Sequence, residues 1–205
     1  MKTVTKPSKG RKPSIKQILA HDSNIEERLI TDYEELDRTV KTIKAMGFKV
    51  VLTQGVYDLI HVGHAAYLEK ARSLGDILIV GVDSDELTRQ RKGPDRPIVS
   101  QRERLQMLSH LRPVDILTVR EVHHDIGDLI RLVQPDILVV SKSTTDFSLE
   151  MAKEYGEFCG KIVSLPPQAT TSTTARIRNI TIEGVEKLAK EVAQLTNEFV
   201  KKIRG

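Results

Sequence analysis

Thr53-Gln54-Gly55-Val56-Tyr57-Asp58-Leu59-Ile60-His61-Val62-Gly63-His64 is the stretch on which the reading of this chain turns. It grows out of Lys49-Val50-Val51-Leu52-Thr53, an apolar run rich in β-branched residues that predicts a buried strand. Gly55 permits a tight turn close to a ligand. From Val62 to Leu74 the pattern turns helical: Tyr67, Ala71 and Leu74 recur at spacings of four and three, and Gly75 stands where a C-cap belongs. His61 and His64, three residues apart, then share one side of the first turn of a helix that follows directly on a strand. N–H groups at a helix start attract anions, and two imidazoles beside them add donors aimed at the same spot. A metal reading of the pair finds no nearby Cys and no third placed ligand. A lone histidine would read as a structural cap. Here the glycines, Asp58 and the strand-to-helix context coincide, so the stretch reads as a phosphate site, and no metal ligand is assigned.

Outward from this stretch the chain alternates strands and helices. Upstream, residues 17–30 read as a short helix with Asp22 or Ser23 as N-cap. Thr31 caps a second helix along which Leu36, Val40, Ile43 and Met46 line one side until Gly47 stops it. Downstream, Ile77–Val82 is a second buried strand ending in Asp83-Ser84-Asp85-Glu86, an acidic turn at a strand's carboxyl end, where open α/β sheets bind ligands. Asp85 either meets the ligand there or caps the next helix. The run from Arg89 to Val99 sets basic residues around Gly93, Pro94 and Pro97 and reads as a bounded loop suited to closing on phosphates.

Ser100 with Glu103 forms a capping box for a helix whose apolar side is Leu105, Leu108 and Leu111. Asp115–Val119 is a third strand, and Asp136–Val140 a fourth, ending near Lys142. His123-His124-Asp125 between them lacks a ligand cluster and reads as loop or helix start. Lys161–Leu165 is a fifth strand, followed by the hydroxyl-rich run Thr170–Thr174, a further anion nest leading into a helix. Five strands alternating with helices imply an α/β fold: a parallel sheet with helices on both faces, joined by right-handed crossovers.

The pattern Thr-x-Gly-x-Tyr-Asp-x-x-His-x-Gly-His resembles the signature of the cytidylyltransferase-like nucleotidyltransferases, with Tyr57 in place of the usual Phe. Within that family the likeness is nearest to the adenylyltransferase domain of bacterial ADP-heptose synthases. Glycerol-3-phosphate cytidylyltransferases and FAD synthetases are cousins. The resemblance covers roughly residues 31–180 and implies a Rossmann-like, five-stranded parallel sheet in the order 3-2-1-4-5, which sets the signature at the switch point of the central strand. It implies catalytic roles for His61, His64 and Lys92, the last lying in a segment similar to the family's Lys-Gly-x-x-Arg-Pro. Nucleotide-binding roles follow for Thr53, Gln54, Gly55, Val56, Tyr57, Asp58, Gly63, Asp83, Asp85 and Arg104. They also follow for Ser172, Thr173 and Thr174, in the segment similar to the family's second signature, (Ile/Cys)-Ser-Thr-Thr. Arg102 is the neighbouring alternative to Arg104. Lys142 corresponds to the acceptor-binding lysine of Lys-Gly-Gly-Asp, although Ser143 and Thr144 replace the two glycines.

The expected reaction is transfer of a nucleotidyl group from an NTP, ATP by preference, to a phosphorylated acceptor such as heptose 1-phosphate, with Mg²⁺ carried mainly on the substrate phosphates. The alternatives are a CTP-dependent glycerol-3-phosphate cytidylyltransferase, an FMN adenylyltransferase and, from another class, a non-catalytic nucleotide-binding sensor. Intact His61, His64 and Lys92 speak against the sensor.

Composition bounds the rest. At 205 residues, 39% hydrophobic and 29% charged, the chain has the balance of a globular protein with extensions. It carries no apolar run long enough for a bilayer and no secretory signal, so no membrane partner is expected. The single Cys159 forms no internal disulfide and suits the cytoplasm. The net charge of +4 is uneven: residues 1–16 hold six basic residues and no acid, leaving −2 for the remainder. That stretch reads as a basic disordered arm. A nucleic-acid role is disfavoured, because aromatics are 4% with no Trp. The expected organisation is the arm (1–16), N-terminal helices (17–47), a nucleotidyltransferase domain (48–180) and a C-terminal amphipathic helix (181–205). In that last helix Val185, Leu188, Val192, Leu195 and Phe199 follow an a/d spacing, a stripe that either packs on its own domain or pairs with another chain; a homodimer is the expectation.

Overall fold

A computed structural model describes residues 25–142, 147–168 and 180–194. The chain falls into two compact units, Met1–Gln168 and Ala169–Gly205. The first contains five strands: β1 (Val50–Gly55), β2 (Ile77–Asp83), β3 (Ile116–Arg120), β4 (Ile137–Ser141) and β5 (Lys161–Leu165). All pair in parallel, in the spatial order β3-β2-β1-β4-β5, as the resemblance implies.

Helices cover both faces, and the alternation along each strand explains why. Val50 and Leu52 of β1 and Ile77 and Ile79 of β2 point into one core. That core also takes Leu36, Val40 and Ile43 of α2 (Tyr33–Ala45) and Leu129, Ile130 and Val133 of α6 (Asp128–Val133). Tyr155 of α7 (Leu149–Gly156) closes it. Val51, Leu78 and Val80 point the other way, against Leu68 and Ala71 of α3 (Val62–Arg72) and Leu105 and Leu108 of α5 (Gln101–Ser109). Strands buried on both faces read as continuous apolar runs, which is what the sequence shows for β1 and β2.

The N-terminal helices are part of this core. Past α1 (Ile25–Arg28) the chain leaves the helix: Leu29 bridges Leu117 and Ile30 N–H bonds Leu117 O at 2.9 Å. Arg28 donates to Val114 O at 2.7 Å, and the Tyr33 hydroxyl to Val119 O at 3.3 Å. Together these satisfy groups on the outer edge of β3, which would otherwise invite pairing with another chain. The expected helix over 17–30 is thus cut short at its C-terminal side. Its candidate caps Asp22 and Ser23 lie outside the described residues.

Several caps differ from expectation. Asp32, not Thr31, caps α2, accepting from Glu35 N–H at 2.9 Å. Gly47 does end that helix, at φ 84°. Gly75 is not the cap: α3 ends at Arg72, with Ser73 as its C-cap. A Cβ at Gly75 would come within 2.6 Å of Val51 Cγ2 and 2.8 Å of Lys49 O, so close approach to β1 is what requires the glycine. The run expected as loop from Arg89 is the last turn of α4 (Asp85–Lys92), capped by Ser84, whose Oγ accepts from Leu87 N–H at 3.1 Å. Only from Gly93, at φ 99°, does the chain become a loop. In the second unit residues 180–194 are helical, and Ile180, Ile182, Val185, Leu188 and Val192 are all exposed.

Leu36 is fully buried although it lies in the N-terminal extension. Leu36→Ala should lower unfolding stability by about 2–5 kcal/mol, as for other buried leucines. Urea denaturation at pH 7 would show this as a reduced midpoint.

Candidate active site

The carboxyl end of β1 turns sharply before α3. Tyr57 and Leu59 sit in left-handed backbone at φ 55° and 46°, with Asp58 between them. Gly55, by contrast, does not adopt positive φ, and a Cβ there would meet the Tyr57 ring at an ordinary 3.5 Å. The turn's strain therefore falls on two large residues, which persist in such backbone only where their surroundings over-determine it.

His61 is the N-cap of α3: its Nδ1 accepts from Gly63 N–H at 3.0 Å. An accepting Nδ1 leaves Nε2 as the donor of the neutral ring. His64 N–H and Ala65 N–H also bond back to His61 O, at 2.9 and 3.2 Å. The helix end thus offers its dipole and two imidazoles rather than a row of free amides. The His61 and His64 rings lie 4.2 Å apart, centroid to centroid, and Tyr57 meets His64 edge-on at 5.7 Å.

Burial, with the neighbouring His61, pushes His64 down to about 4, against a smaller opposing effect of Asp58. The ring is therefore neutral at pH 7. Its Nδ1 is buried with no hydrogen-bond partner among the described residues. Tyr57 is 6% exposed, and burial drives its hydroxyl well above the usual range, so it stays protonated beneath the histidines.

Several expected nucleotide contacts are scaffold in this geometry. The Thr53 Oγ1 lies 2.8 Å from the Tyr67 hydroxyl, which donates to Val139 O at 3.2 Å and so ties β1 to α3 and β4. Gln54 Nε2 donates to Ile126 O at 2.9 Å, holding the loop after β3, while its Oε1 is buried without a partner among the described residues. Asp83 is fully buried between Arg91 at 2.5 Å and Arg120, whose Nε and Nη2 reach it at 3.0 and 2.6 Å. This carboxylate is committed to two guanidinium groups. Its place at a strand end made it look like a ligand; its neighbours on α4 and β3 make it a brace.

Arg104, expected at the triphosphate, is likewise fully buried and bonds Val56 O, Val99 O and Asp85. Arg102 is exposed on another side of α5. Gly63 is buried within the first turn of α3. Lys92 is exposed at the end of α4. Lys142 is exposed just past β4, its N–H on Leu165 O at 2.9 Å. Ser172, Thr173 and Thr174 lie outside the described residues, as do Ser143 and Thr144.

Sequence reasoning missed Arg96, Arg120 and Tyr67. Arg96 Nε stands 3.2 Å from Asp58. An arginine closing a buried strand, as at Arg120, was the available signal, since it must have a buried acid to face. His123 and His124 form no ligand set: the His124 ring stacks on Tyr33 at 4.3 Å, and its Nδ1 accepts from Glu121 N–H at 2.9 Å.

A parallel sheet whose central strand ends in a strained turn at the switch point, followed by a histidine-capped helix, defines a doubly wound, Rossmann-like α/β protein. Residues 52–180 match the family described as cytidylyltransferase-like, and the chain belongs to it. Among curated proteins it is 39% identical over 150 residues to the "Bifunctional protein HldE" of Desulfatibacillum aliphaticivorans, covering 72% of this chain and 30% of that protein. It is 46% identical over 104 residues to the protein of the same name from Helicobacter pylori strain G27, covering 51% and 22%. The chain thus spans less than a third of the length of these relatives.

Among solved structures, a lipopolysaccharide core biosynthesis protein from Thermoplasma volcanium is similar with TM-score 0.52 and 30% identity, covering 58% of this chain and 97% of that one. The pantoate-beta-alanine ligase of Francisella tularensis shares the fold with TM-score 0.54 at 14% identity, covering 74% and 72%.

Two outcomes test these assignments. Asp83→Asn should destabilise the protein by about 3–5 kcal/mol, because it leaves buried Arg120 without its counter-charge; a thermal melt reads this directly. His64 bears on pH dependence. Its native value near 4 lies below the ordinary 6.5, so between those limits the unfolded chain binds a proton that the folded chain refuses. Stability should therefore fall as pH drops through that window, and fall less in His64→Gln. Urea midpoints at pH 7 and pH 5 compare the two.

Proposed function

We propose that the chain joins an NMP group from an NTP, by preference ATP, to the phosphate of a small sugar phosphate such as heptose 1-phosphate, releasing pyrophosphate. The observation that carries this reading is the pair of imidazoles, 4.2 Å apart, on the helix start at the end of the central strand. Similarity to proteins named HldE, together with the Lys92-Gly93-Pro94-Asp95-Arg96-Pro97 segment, supports the choice of base and acceptor.

An acceptor phosphate oxygen attacks the α-phosphorus in line. As that bond forms, the bond from phosphorus to the α–β bridging oxygen breaks, and its electron pair leaves with pyrophosphate. The acceptor is already anionic, so no protein nucleophile is needed. The protein's work is positioning and compensation of charge.

His61 Nε2–H and the neutral His64 ring donate toward the α- and β-phosphate oxygens, helped by the dipole of α3. A histidine that is neutral down to about pH 4 acts here as a hydrogen-bond donor and not as a standing cation. Lys92 neutralises the β- and γ-phosphates; Ser172, Thr173 and Thr174, for which the resemblance implies nucleotide binding, lie outside the described residues. Lys142, at the end of β4, meets the acceptor phosphate.

Mg²⁺ would be carried by the nucleotide's own phosphates and would neutralise part of their charge. Asp58, Asp83 and Asp85 already face arginines or backbone amides, and no group of three or more metal-ligating side chains gathers among the described residues. An ion held by phosphate oxygens and water suits that donor set.

The exposed apolar residues of helix 180–194, continued in sequence by Leu195 and Phe199, would pair two copies into a homodimer. Among the described residues no helix is long and apolar enough to cross a membrane, and a cytoplasmic setting fits the lone Cys159.

His64→Ala should lower kcat by at least ~10²-fold, as for loss of a preorganised donor, with an unchanged circular dichroism spectrum. Pyrophosphate release across ATP, CTP, GTP and UTP, against sugar phosphates, glycerol phosphate and FMN, identifies the substrate pair. Near-full turnover in the variant would overturn the role given to this ring.

A further inference from the structure

Residues 85–99 leave the sheet after β2 and return before α5, carrying Arg89, Arg91 and Lys92 on the way. Both feet of this excursion are tied to the turn after β1 by two buried side chains. Asp58, 3% exposed, takes Ile98 N–H on Oδ2 at 3.0 Å and Val99 N–H on Oδ1 at 2.9 Å, with Arg96 Nε 3.2 Å from Oδ2. Arg104, 0% exposed, donates Nε to Val99 O at 3.0 Å and Nη2 to Asp85 Oδ1 at 2.7 Å. Its Nη1 reaches Val56 O, in the turn itself. The turn so gripped is the one with Tyr57 and Leu59 in left-handed backbone.

A carboxylate with two backbone amides and a guanidinium on its two oxygens is firmly committed, as is a guanidinium that spans three elements. Neither can leave for a nucleotide without stranding buried partners. Yet each holds a group that the proposed chemistry uses. Asp58 fixes the return foot of the segment bearing Lys92. Arg104 fixes the outgoing foot through Asp85, the return foot through Val99 O, and the start of the histidine turn through Val56 O.

We propose that Asp58 and Arg104 are positioning residues that form one clasp. It holds the strained turn and the basic segment as a unit, so that the imidazoles and Lys92 address a single nucleotide, and neither clasp residue touches that nucleotide. The clasp stands on hydrogen bonds alone, while its catalytic consequence rests on the function proposed above.

The two residues differ in one respect that gives a distinguishing signature. Asp58 belongs to the turn and grips only the return foot, whereas Arg104 lies outside the turn and spans Val56 O and both feet. Asp58→Asn puts an amide where a second accepting oxygen stood, and should raise the nucleotide KM about tenfold with little change in kcat, the pattern for lost ground-state binding. Arg104→Lys loses the fork and should raise KM and also lower kcat by about tenfold or more, since misplaced reacting groups cost rate. A general loss of folded protein would lower kcat in proportion and leave KM alone.

Hydrogen exchange of the full chain supplies a readout independent of turnover. Amides in residues 94–100 should exchange at least about tenfold faster in both variants, while those of residues 33–45 keep wild-type protection. Uniform acceleration across the sheet, unchanged protection of 94–100, or loosened amides with unaltered ATP affinity by calorimetry would each overturn the clasp. Should the wild-type chain release no pyrophosphate from any NTP, the functional reading fails. Exchange and ATP affinity would still decide the clasp. If Arg104→Lys does not fold, Asp58→Asn carries the test.

Discussion

The arrangement depends on β1 having a parallel partner on each side. It pairs with β2 along its whole length, from Val50 opposite Ile77 to Gly55 opposite Val82, and with β4 through Val51 and Leu52. A parallel partner cannot be reached by a hairpin, so the chain must cross over a face of the sheet, and right-handedness decides which face. Moving outward from β1 to β2 and β3 puts α3 and α5 on one face; doubling back to β4 and β5 puts α6 and α7 on the other. The two sets of helices part above the carboxyl end of β1. That is where the chain makes its sharpest turn.

Buried charge is used as structure, both at this opening and at the opposite, amino end of the sheet. Asp58, Asp83 and Asp115 are all at most 3% exposed, and each engages arginine and, for two of them, backbone N–H as well. Buried carboxylates are costly unless their lone pairs are filled, and once filled they are poor candidates for further ligands. Asp115 takes Leu78 N–H at 2.7 Å and Arg72 Nε at 2.7 Å, pinning α3 to the entrance of β3. The groups with less to hold them, Lys92 and Lys142, stand at the surface and suit an incoming anion. Division between braced and exposed charge, more than the number of charged residues, shapes the proposed site.

How much of this was legible beforehand depends on the range of the interaction concerned. Strand positions were readable because burial on both faces demands an apolar run, and β2, buried at every position, begins at Ile77 as its sequence pattern does. The N-cap at Ser100 was readable because cap and partner lie three residues apart, and Ser100 Oγ does accept from Glu103 N–H at 3.4 Å. The ending of α2 at Gly47 was readable because left-handed backbone favours glycine. Gly75 misled because glycine has two uses, and only the nearness of Lys49 O and Val51 distinguishes close packing from a cap. The basic run of α4 misled because loops and helix ends both collect Arg and Lys.

By itself, then, the sequence determined the alternation of strands and helices, the placing of two histidines on a helix start, and kinship with a nucleotidyltransferase family. Each of these follows from neighbours within a few residues or from a motif read in one piece. Only the tertiary structure decided which charged residues brace the fold. Asp83 meets Arg120 across 37 positions and Asp58 meets Val99 across 41. The physical reason is distance along the chain: local periodicity sets which side of an element a residue lies on, but the counter-charge facing it is chosen when distant elements pack.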